Sequence, residues 1–350
     1  MSKPARIVAL ATADAPHTLS QPDVVEVART LFSDRFPGFD RMLPVFDTAG
    51  IKARQSAMPM EWYLTPRGWP ERTRAYLDVA VGMFERAARA ALDRADLKAA
   101  DVDMIVTVSS TGIATPSLEA RASASLGFRP DAARVPVFGL GCAGGVTGLA
   151  LASKLAKASP GAVVLLVVVE LCTLSFRMED LTKADIVATA LFGDGAAACV
   201  LRCGEDGFAE VEATAEHTWP DTLDIMGWRV DPTGLGVIFD RAIPPFARKN
   251  LREAIVGILD RQSLGLDDVD RFICHPGGMK VIDAIEASLS LQQGCLESER
   301  AVLADHGNMS APTALYVLDR ERKRGLPDRS LLTALGPGFT LSTLTLRAAA

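Results

Sequence analysis

Three short stretches of this 350-residue chain carry side chains that could act together on a carbonyl group. The first is Gly141-Cys142-Ala143-Gly144-Gly145, where an apolar run turns into a helix-like segment. A cysteine at a strand-to-helix turn lies near the positive end of the helix dipole, which lowers the thiol pKa and makes the thiolate available as a nucleophile. The flanking glycines let a substrate approach the backbone closely. The second is Phe272-Ile273-Cys274-His275-Pro276-Gly277-Gly278, again a strand entering a Gly-Gly turn, here carrying a histidine suited to act as base or hydrogen-bond donor. The third, Asp305-His306-Gly307-Asn308-Met309-Ser310, is a polar loop entering an apolar helix. Asn308 offers an NH2 donor for an oxyanion, or a helix N-cap. Cys172, Cys199 and Cys203 stand in apolar surroundings and read as core residues.

The elements that must position these stretches alternate between strand and helix. Strands are expected near 5–11, 104–108, 135–140, 162–169, 196–202, 208–215, 271–274, 331–335 and 339–347. Helices are expected near 22–32, 74–94, 117–126, 146–157, 246–261, 280–291, 297–304 and 312–323. The run 162–169 is apolar throughout, as in a strand buried on both faces of a helix-covered sheet. Residues 92–103 and 259–270 agree at seven of twelve positions at an offset of 167, each after a helix-like stretch and before a strand-like one. One fold unit used twice accounts for this, with halves 1–205 and 206–350 sharing a substantial interface. On this reading the turns at Cys142 and His275 are repeat-related and converge on one cavity.

Composition narrows the function. With 49% hydrophobic and 23% charged residues the chain is globular, and its longest apolar run is eight residues where a membrane span needs about 20. A net charge of −6 without a basic stripe argues against nucleic acid as partner. Six scattered cysteines without a Cys-x-x-Cys pair argue against disulfides or a zinc site, and the N-terminus lacks a secretory apolar region, so a cytoplasmic location is expected.

Taken together, the sequence resembles the type III polyketide synthases, the chalcone and stilbene synthase-like branch of the thiolase superfamily. The matching text is Gly141-Cys142-Ala143-Gly144-Gly145, Ala190-Leu191-Phe192-Gly193-Asp194-Gly195-Ala196-Ala197, His275-Pro276-Gly277-Gly278, Gly307-Asn308-Met309-Ser310 and Gly336-Pro337-Gly338-Phe339, in the family's order. The separations of 133 residues from Cys142 to His275 and 33 from His275 to Asn308 are family-like too. The resemblance implies a layered αβαβα thiolase-like fold of two duplicated halves, a homodimer, and acyl-CoA and malonyl-CoA as substrates with no metal or redox cofactor.

Residue by residue, it implies that Cys142 accepts the starter acyl group as a thiolate paired with His275, and that His275 and Asn308 hold the malonyl thioester oxygen during decarboxylation. Phe192 matches the gatekeeper between the coenzyme A tunnel and the reaction cavity. Val237 falls at the second gatekeeper site, where plant enzymes carry an aromatic ring; Phe239 would compensate if the register slips by two. Thr111, Thr115, Cys172, Ser175 and Trp228 map to cavity-lining positions, with Thr115 near the subunit interface. Lys52, Arg54 and Lys280 are the expected coenzyme A contacts, and Gly336-Pro337-Gly338 is the expected tunnel-lining loop. The smaller residue at Val237 favours an aliphatic starter closed to an alkylpyrone or alkylresorcinol. Malonyl-only synthesis of phloroglucinol or tetrahydroxynaphthalene type is the alternative. A ketoacyl-carrier-protein synthase shares the Cys, His and Asn set but commonly carries Gln-Ala-Asn where this chain has Pro276-Gly277-Gly278. A non-catalytic acyl-CoA-binding protein on the same fold is a further rival, disfavoured by the three reactive residues.

Overall fold

In the computed structural model, which describes residues 3–178, 181–204 and 206–349, each half of the chain contributes one block of strands. The first half runs β1 (Ala5–Asp14), β2 (His17–Ser20), α1 (Gln21–Phe32), α2 (Pro44–Thr48), β3 (Ala53–Ser56), α3 (Trp69–Arg94), β4 (Met104–Val108), α4 (Leu118–Leu126), β5 (Ala133–Val137), α5 (Gly144–Ala158), β6 (Val164–Leu171), α6 (Lys183–Leu191) and β7 (Asp194–Cys203). The second runs β8 (Ala209–Thr218), β9 (Met226–Asp231), β10 (Gly234–Phe239), α7 (Ile243–Asp260), β11 (Arg271–Cys274), α8 (Met279–Leu289), α9 (Glu297–His306), α10 (Pro312–Arg324), β12 (Arg329–Gly336) and β13 (Thr340–Ala348).

The strand order is β11-β12-β13-β8-β1-β7-β6-β4-β5. Between the blocks lies only a short antiparallel link, Arg6 with Glu210 and Ile7 with Ala209. Within them the pairing repeats: β1–β7 and β7–β6 are antiparallel and β6–β4 parallel, as β8–β13 and β13–β12 are antiparallel and β12–β11 parallel. This is the duplicated unit expected from the repeat. Its register corrects one expectation, because β4 and β11 are the equivalent strands. The His275 turn therefore corresponds to the Ser109–Thr111 segment after β4, and the Cys142 turn before α5 corresponds to the Asn308 loop before α10.

Alternation along each strand sends side chains to two cores. In β4, Val106 and Val108 enter a central core with Val146, Leu149, Ala311 and Leu315, whereas Ile105 joins Met83 and Phe84 of α3 on the outer face. Helices α5 and α10 lie between the two blocks and touch strands of both; α3 covers the outside of the first, and α7 with α8 the outside of the second. The result is the αβαβα layering. Strand β6 runs two residues past the expected end at 169, because the Glu170 carboxylate is met by hydrogen bonds inside the protein. Strand β5 stops before its expected end at 140, where Gly139 (φ 93°) turns the chain.

The outermost strands differ. At one edge, β11 is short and its Cys274 N–H donates to buried Glu299 at 2.9 Å, with Arg271 pairing the same carboxylate at 2.6 Å. At the other edge β5 carries exposed Pro136 and is followed by Phe138, which is 56% exposed.

The two central helices meet through backbone. A Cβ on Gly145 of α5 would lie 2.2 Å from the carbonyl oxygen of Ala311, next to α10, with backbone on both sides and nothing flexible to yield. Gly145→Ala is therefore expected to destabilise the protein by about 1–3 kcal/mol through overpacking. Gly82→Ala, in α3 where a Cβ meets only the Arg86 guanidinium at 3.6 Å, is expected to stabilise by about 0.5–1 kcal/mol. Denaturant unfolding of both variants checks the contrast.

Candidate active site

The nucleophile turn is fixed from both halves. Cys142 lies in the tight turn Gly141–Ala143 directly before α5 and is 9% exposed. Ser110 Oγ accepts from the backbone N–H groups of Gly139 and Gly141 at 3.1 and 3.3 Å, holding the approach to the turn. From the second half Gly336 presses on it, where a Cβ would fall 2.6 Å from the Ala143 Cβ and 2.7 Å from the Leu140 oxygen. Pro337 packs on Gly141 in the same way. Gly336-Pro337-Gly338 thus buttresses the Cys142 turn, and none of the three lines the four cavities described below.

Asn308 is set by a bridge between halves. Its N–H donates to the Leu191 carbonyl at 2.8 Å, and its carbonyl accepts from Gly193 N–H at 3.0 Å. A Cβ on Gly193 would sit 2.2 Å from the His306 oxygen, so glycine is required there. The amide is oriented too: Oδ1 accepts from Ser310 N–H at 2.8 Å and Nδ2 donates to the Gly277 carbonyl at 3.2 Å. That leaves one Nδ2 hydrogen for a ligand. His275 is buried, and neither ring nitrogen has a hydrogen-bond partner among the described residues. Cys142, His275 and Asn308 line one cavity, with Phe239 and Met226.

Burial dominates the electrostatics. It pushes the Cys142 thiol up to about 11; hydrogen bonding from Ser310 and Asn308 pulls the other way, and the Glu170 carboxyl adds to the rise. Burial also brings His275 down to about 4. Each group by itself is held neutral, the thiol protonated and the imidazole unprotonated. Sequence reasoning missed Glu170, which lies close enough to act on Cys142. Burial raises its carboxyl to about 8, against hydrogen bonds from Ser110 N–H (3.0 Å) and Thr111 Oγ1 (2.7 Å). Its place inside an apolar strand was the only available signal.

The remaining expected residues divide among three further cavities. Cys172, Ser175, Phe192 and Val237 line one that reaches Val24 and Ala28 of α1. Thr111, Ser175 and Trp228 line another with Arg72 and Tyr76, Ser175 being the shared wall. The Thr111 hydroxyl is spent on Glu170 and on Leu171 N–H, so its methyl group is what it can offer. Lys280 lines an entrance cavity with Lys183 and Arg241, two cations that sequence reasoning missed because neither lies in a family motif. Phe239 belongs to both the entrance and the catalytic cavity. Its ring and that of Trp228 each stand 6.4 Å from Phe192, edge to face. Val237 and Trp228 are cross-strand partners, so the indole supplies bulk where Val237 is small.

Two expected residues are placed elsewhere. Arg54 is 2% exposed, and its guanidinium donates to the carbonyls of Thr189 (2.6 Å), Ala190 (3.1 Å) and Phe192 (3.3 Å) at the end of α6. Burial lowers its pKa to about 10, against the nearby Asp194. It is a buried cation closing a helix C-terminus and bracing the Phe192 backbone, which corrects its reading as a coenzyme A contact. Thr115 is exposed, on the loop leaving Thr111, and its carbonyl accepts from Arg121 at 3.3 Å; within one chain it lines none of these four cavities. Lys52 is exposed, in a loop whose Gly50 abuts Met279 beside Lys280.

Comparison with known proteins agrees with this arrangement. The N-terminal domain of chalcone and stilbene synthases matches residues 2–205 and their C-terminal domain residues 210–350. A 1,3,6,8-tetrahydroxynaphthalene synthase of Streptomyces peucetius subsp. caesius is 40% identical over 351 residues, spanning 97% of this chain and 92% of its own. Type III polyketide synthase A of Arabidopsis thaliana is 31% identical over 367 residues, spanning 98% and 92%. The crystal structure of 1,3,6,8-tetrahydroxynaphthalene synthase from Streptomyces coelicolor A3(2), a bacterial type III polyketide synthase, superposes with a TM-score of 0.93 at 28% identity, over 99% of each chain.

If His275 sustains the Cys142 thiolate, His275→Ala leaves the thiol at the level set by burial. The pH profile of Cys142 alkylation by iodoacetamide is then expected to move upward, with slow labelling at neutral pH. A profile unchanged from the parent's would remove His275 from that role.

Proposed function

The chain belongs to the chalcone and stilbene synthase family and is a type III polyketide synthase, and from that premise we propose that it loads an aliphatic starter from acyl-CoA onto Cys142, extends it with malonyl-CoA, and closes the product to an alkylpyrone or alkylresorcinol. The observation that carries the starter is the apolar cavity behind Phe192, with Val24, Ala28 and Val237 among its walls. Each methylene buried there contributes about 0.8 kcal/mol, so such a cavity favours a hydrocarbon chain.

The Cys142 thiolate attacks the starter thioester, and coenzyme A leaves with the proton held by His275. An N–H of His275 and the free Nδ2 hydrogen of Asn308 then hold the malonyl thioester oxygen. As the bond to the carboxylate breaks, its electrons pass to the enolate, which those donors stabilise. The enolate carbon attacks the Cys142 thioester and the thiolate leaves, giving a chain two carbons longer on coenzyme A. The sequence balances without an electron donor or acceptor. Lys280, Lys183 and Arg241 at the entrance, with Lys52 beside them, suit the phosphates of coenzyme A. In this division the half 1–205 supplies the nucleophile and 206–350 the donors, the boundary at 205 itself lying outside the described residues.

The β5 edge with Ile113 (52% exposed) and Phe138 suits a second copy of this chain, the Thr115 loop lying at that face. No described helix is long and apolar enough to cross a membrane, and cytoplasmic action completes the proposal. A malonyl-only reaction of the phloroglucinol or tetrahydroxynaphthalene type is the second reading, favoured by the name of the 40% identical relative.

Three measurements test these readings. Asn308→Ala is expected to slow malonyl-CoA decarboxylation by about 10²–10³-fold, the loss of one oxyanion donor, while Cys142 still takes up acyl groups by mass spectrometry. Decarboxylation at the parent rate would exclude Asn308 as donor. Products from butyryl- to palmitoyl-CoA with malonyl-CoA should peak at an aliphatic chain; turnover confined to malonyl-CoA would establish the second reading. Light scattering should give twice the 37.2 kDa chain mass.

A further inference from the structure

The hairpin of β9 and β10 stands apart from the nine-stranded sheet, yet it carries Trp228, Val237 and Phe239, the side chains that close over Phe192. A two-stranded hairpin is marginal alone, so its position depends on what holds it. One hold is α6 and the turn Cys172–Ser175, against which β10 packs. The other is ionic: Asp231 Oδ2, at the end of β9, accepts from Arg177 Nη1 at 2.5 Å, with the side chains 20% and 9% exposed. Asp231 Oδ1 meanwhile accepts from Thr233 N–H at 3.0 Å and from its hydroxyl at 2.8 Å, so one carboxylate both folds the hairpin turn and fastens it. The Arg177 guanidinium holds that carboxyl down at about 2. Arg229 lies 3.8 Å from the same oxygen but is 58% exposed, a weaker contact.

The contact is built on both sides. Arg177 follows Ser175 and Phe176, which wall the cavity behind the gatekeeper, and itself lines that cavity. Its Nη2 lies 3.1 Å from where a Cβ on Gly236 would be, so the guanidinium rests on bare backbone between Leu235 and Val237. A strand residue without a side chain, under a buried cation that binds the strand's partner, fixes the spacing between cavity floor and hairpin.

We infer that the Arg177–Asp231 ion pair sets the depth of the starter cavity, and thereby the longest acyl chain the enzyme accepts, with Asp231 acting as a positioning residue that touches no substrate. The chain-length statement rests on the aliphatic-starter reading. Asp231→Asn preserves the acceptor for Thr233 and removes the charge, so the hairpin keeps its turn and loses its fastening.

The test compares the full-length parent, Asp231→Asn, Arg177→Met and the double variant. Hexanoyl-CoA acylation of Cys142 and the kcat/KM profile from butyryl- to palmitoyl-CoA are both measured, with Tm as the folding control. Asp231→Asn is expected to change the ratio of long-chain to short-chain kcat/KM by about tenfold, the scale of one misplaced apolar contact, with single-turnover acylation within about twofold of the parent. The double variant should shift no further than the single ones, because both remove one interaction. A parent-like profile in folded Asp231→Asn, or additive shifts in the double variant, would overturn the inference. The parent alone decides the starter reading. If it uses only malonyl-CoA, the depth claim is read from the ratio of full-length to truncated products in the same four proteins, where an unchanged ratio overturns it and a shift shared by the variants supports it.

Discussion

The catalytic centre depends on backbone from one half of the molecule lying directly on backbone from the other. Gly145 meets the Ala311 carbonyl, Gly193 that of His306, and Gly336 that of Leu140, each where a methyl group would come within 2.2 to 2.7 Å of oxygen. These contacts flank Cys142 and Asn308. Cys142 from one half and His275 and Asn308 from the other can share one cavity only if the halves approach this closely. The glycine-rich motifs are spacers of zero thickness, and most of them sit where the two halves touch.

Around that contact the protein buries charge and satisfies it. Arg54 closes α6 through three carbonyls, Glu170 accepts from Ser110 and Thr111, and Asp194 accepts from Ala57 and Thr173 N–H groups at 2.6 and 2.8 Å, burial raising it to about 7. In such surroundings a polar atom left without a partner is costly. The two free nitrogens of His275 therefore stand out, and a substrate oxygen is the natural partner for one of them.

Much of this was legible in the sequence because it rests on local pattern. β4 and β11 fall where the apolar runs place them, and the repeat announces the duplicated pairing. The Cys, His and Asn turns are legible because each couples a chemical side chain to glycines. What escaped has three physical sources. Charge does not reveal burial, so Arg54 reads as a phosphate ligand although it lies in the core. Pairing partners are not printed in a strand, so the His275 turn was matched to Cys142 when its true counterpart follows β4. The β9–β10 hairpin, interrupted by Gly227, Gly234 and Gly236, has little apolar alternation to announce it, and it carries the side chains that reshape the cavity beside Val237.

The unequal edges of the sheet govern how the molecule can grow. Where β11 ends, Glu299 already occupies the N–H of Cys274, and Arg271 neutralises the carboxylate, so an incoming strand finds no free ladder there. Of the two edges of the nine-stranded sheet, the β5 side alone stays open among the described residues. A body with one adhesive rim can meet its twin about a twofold axis, and in doing so both rims are consumed. In that pairing the nine-stranded sheet keeps no open edge on which a third copy could add a strand.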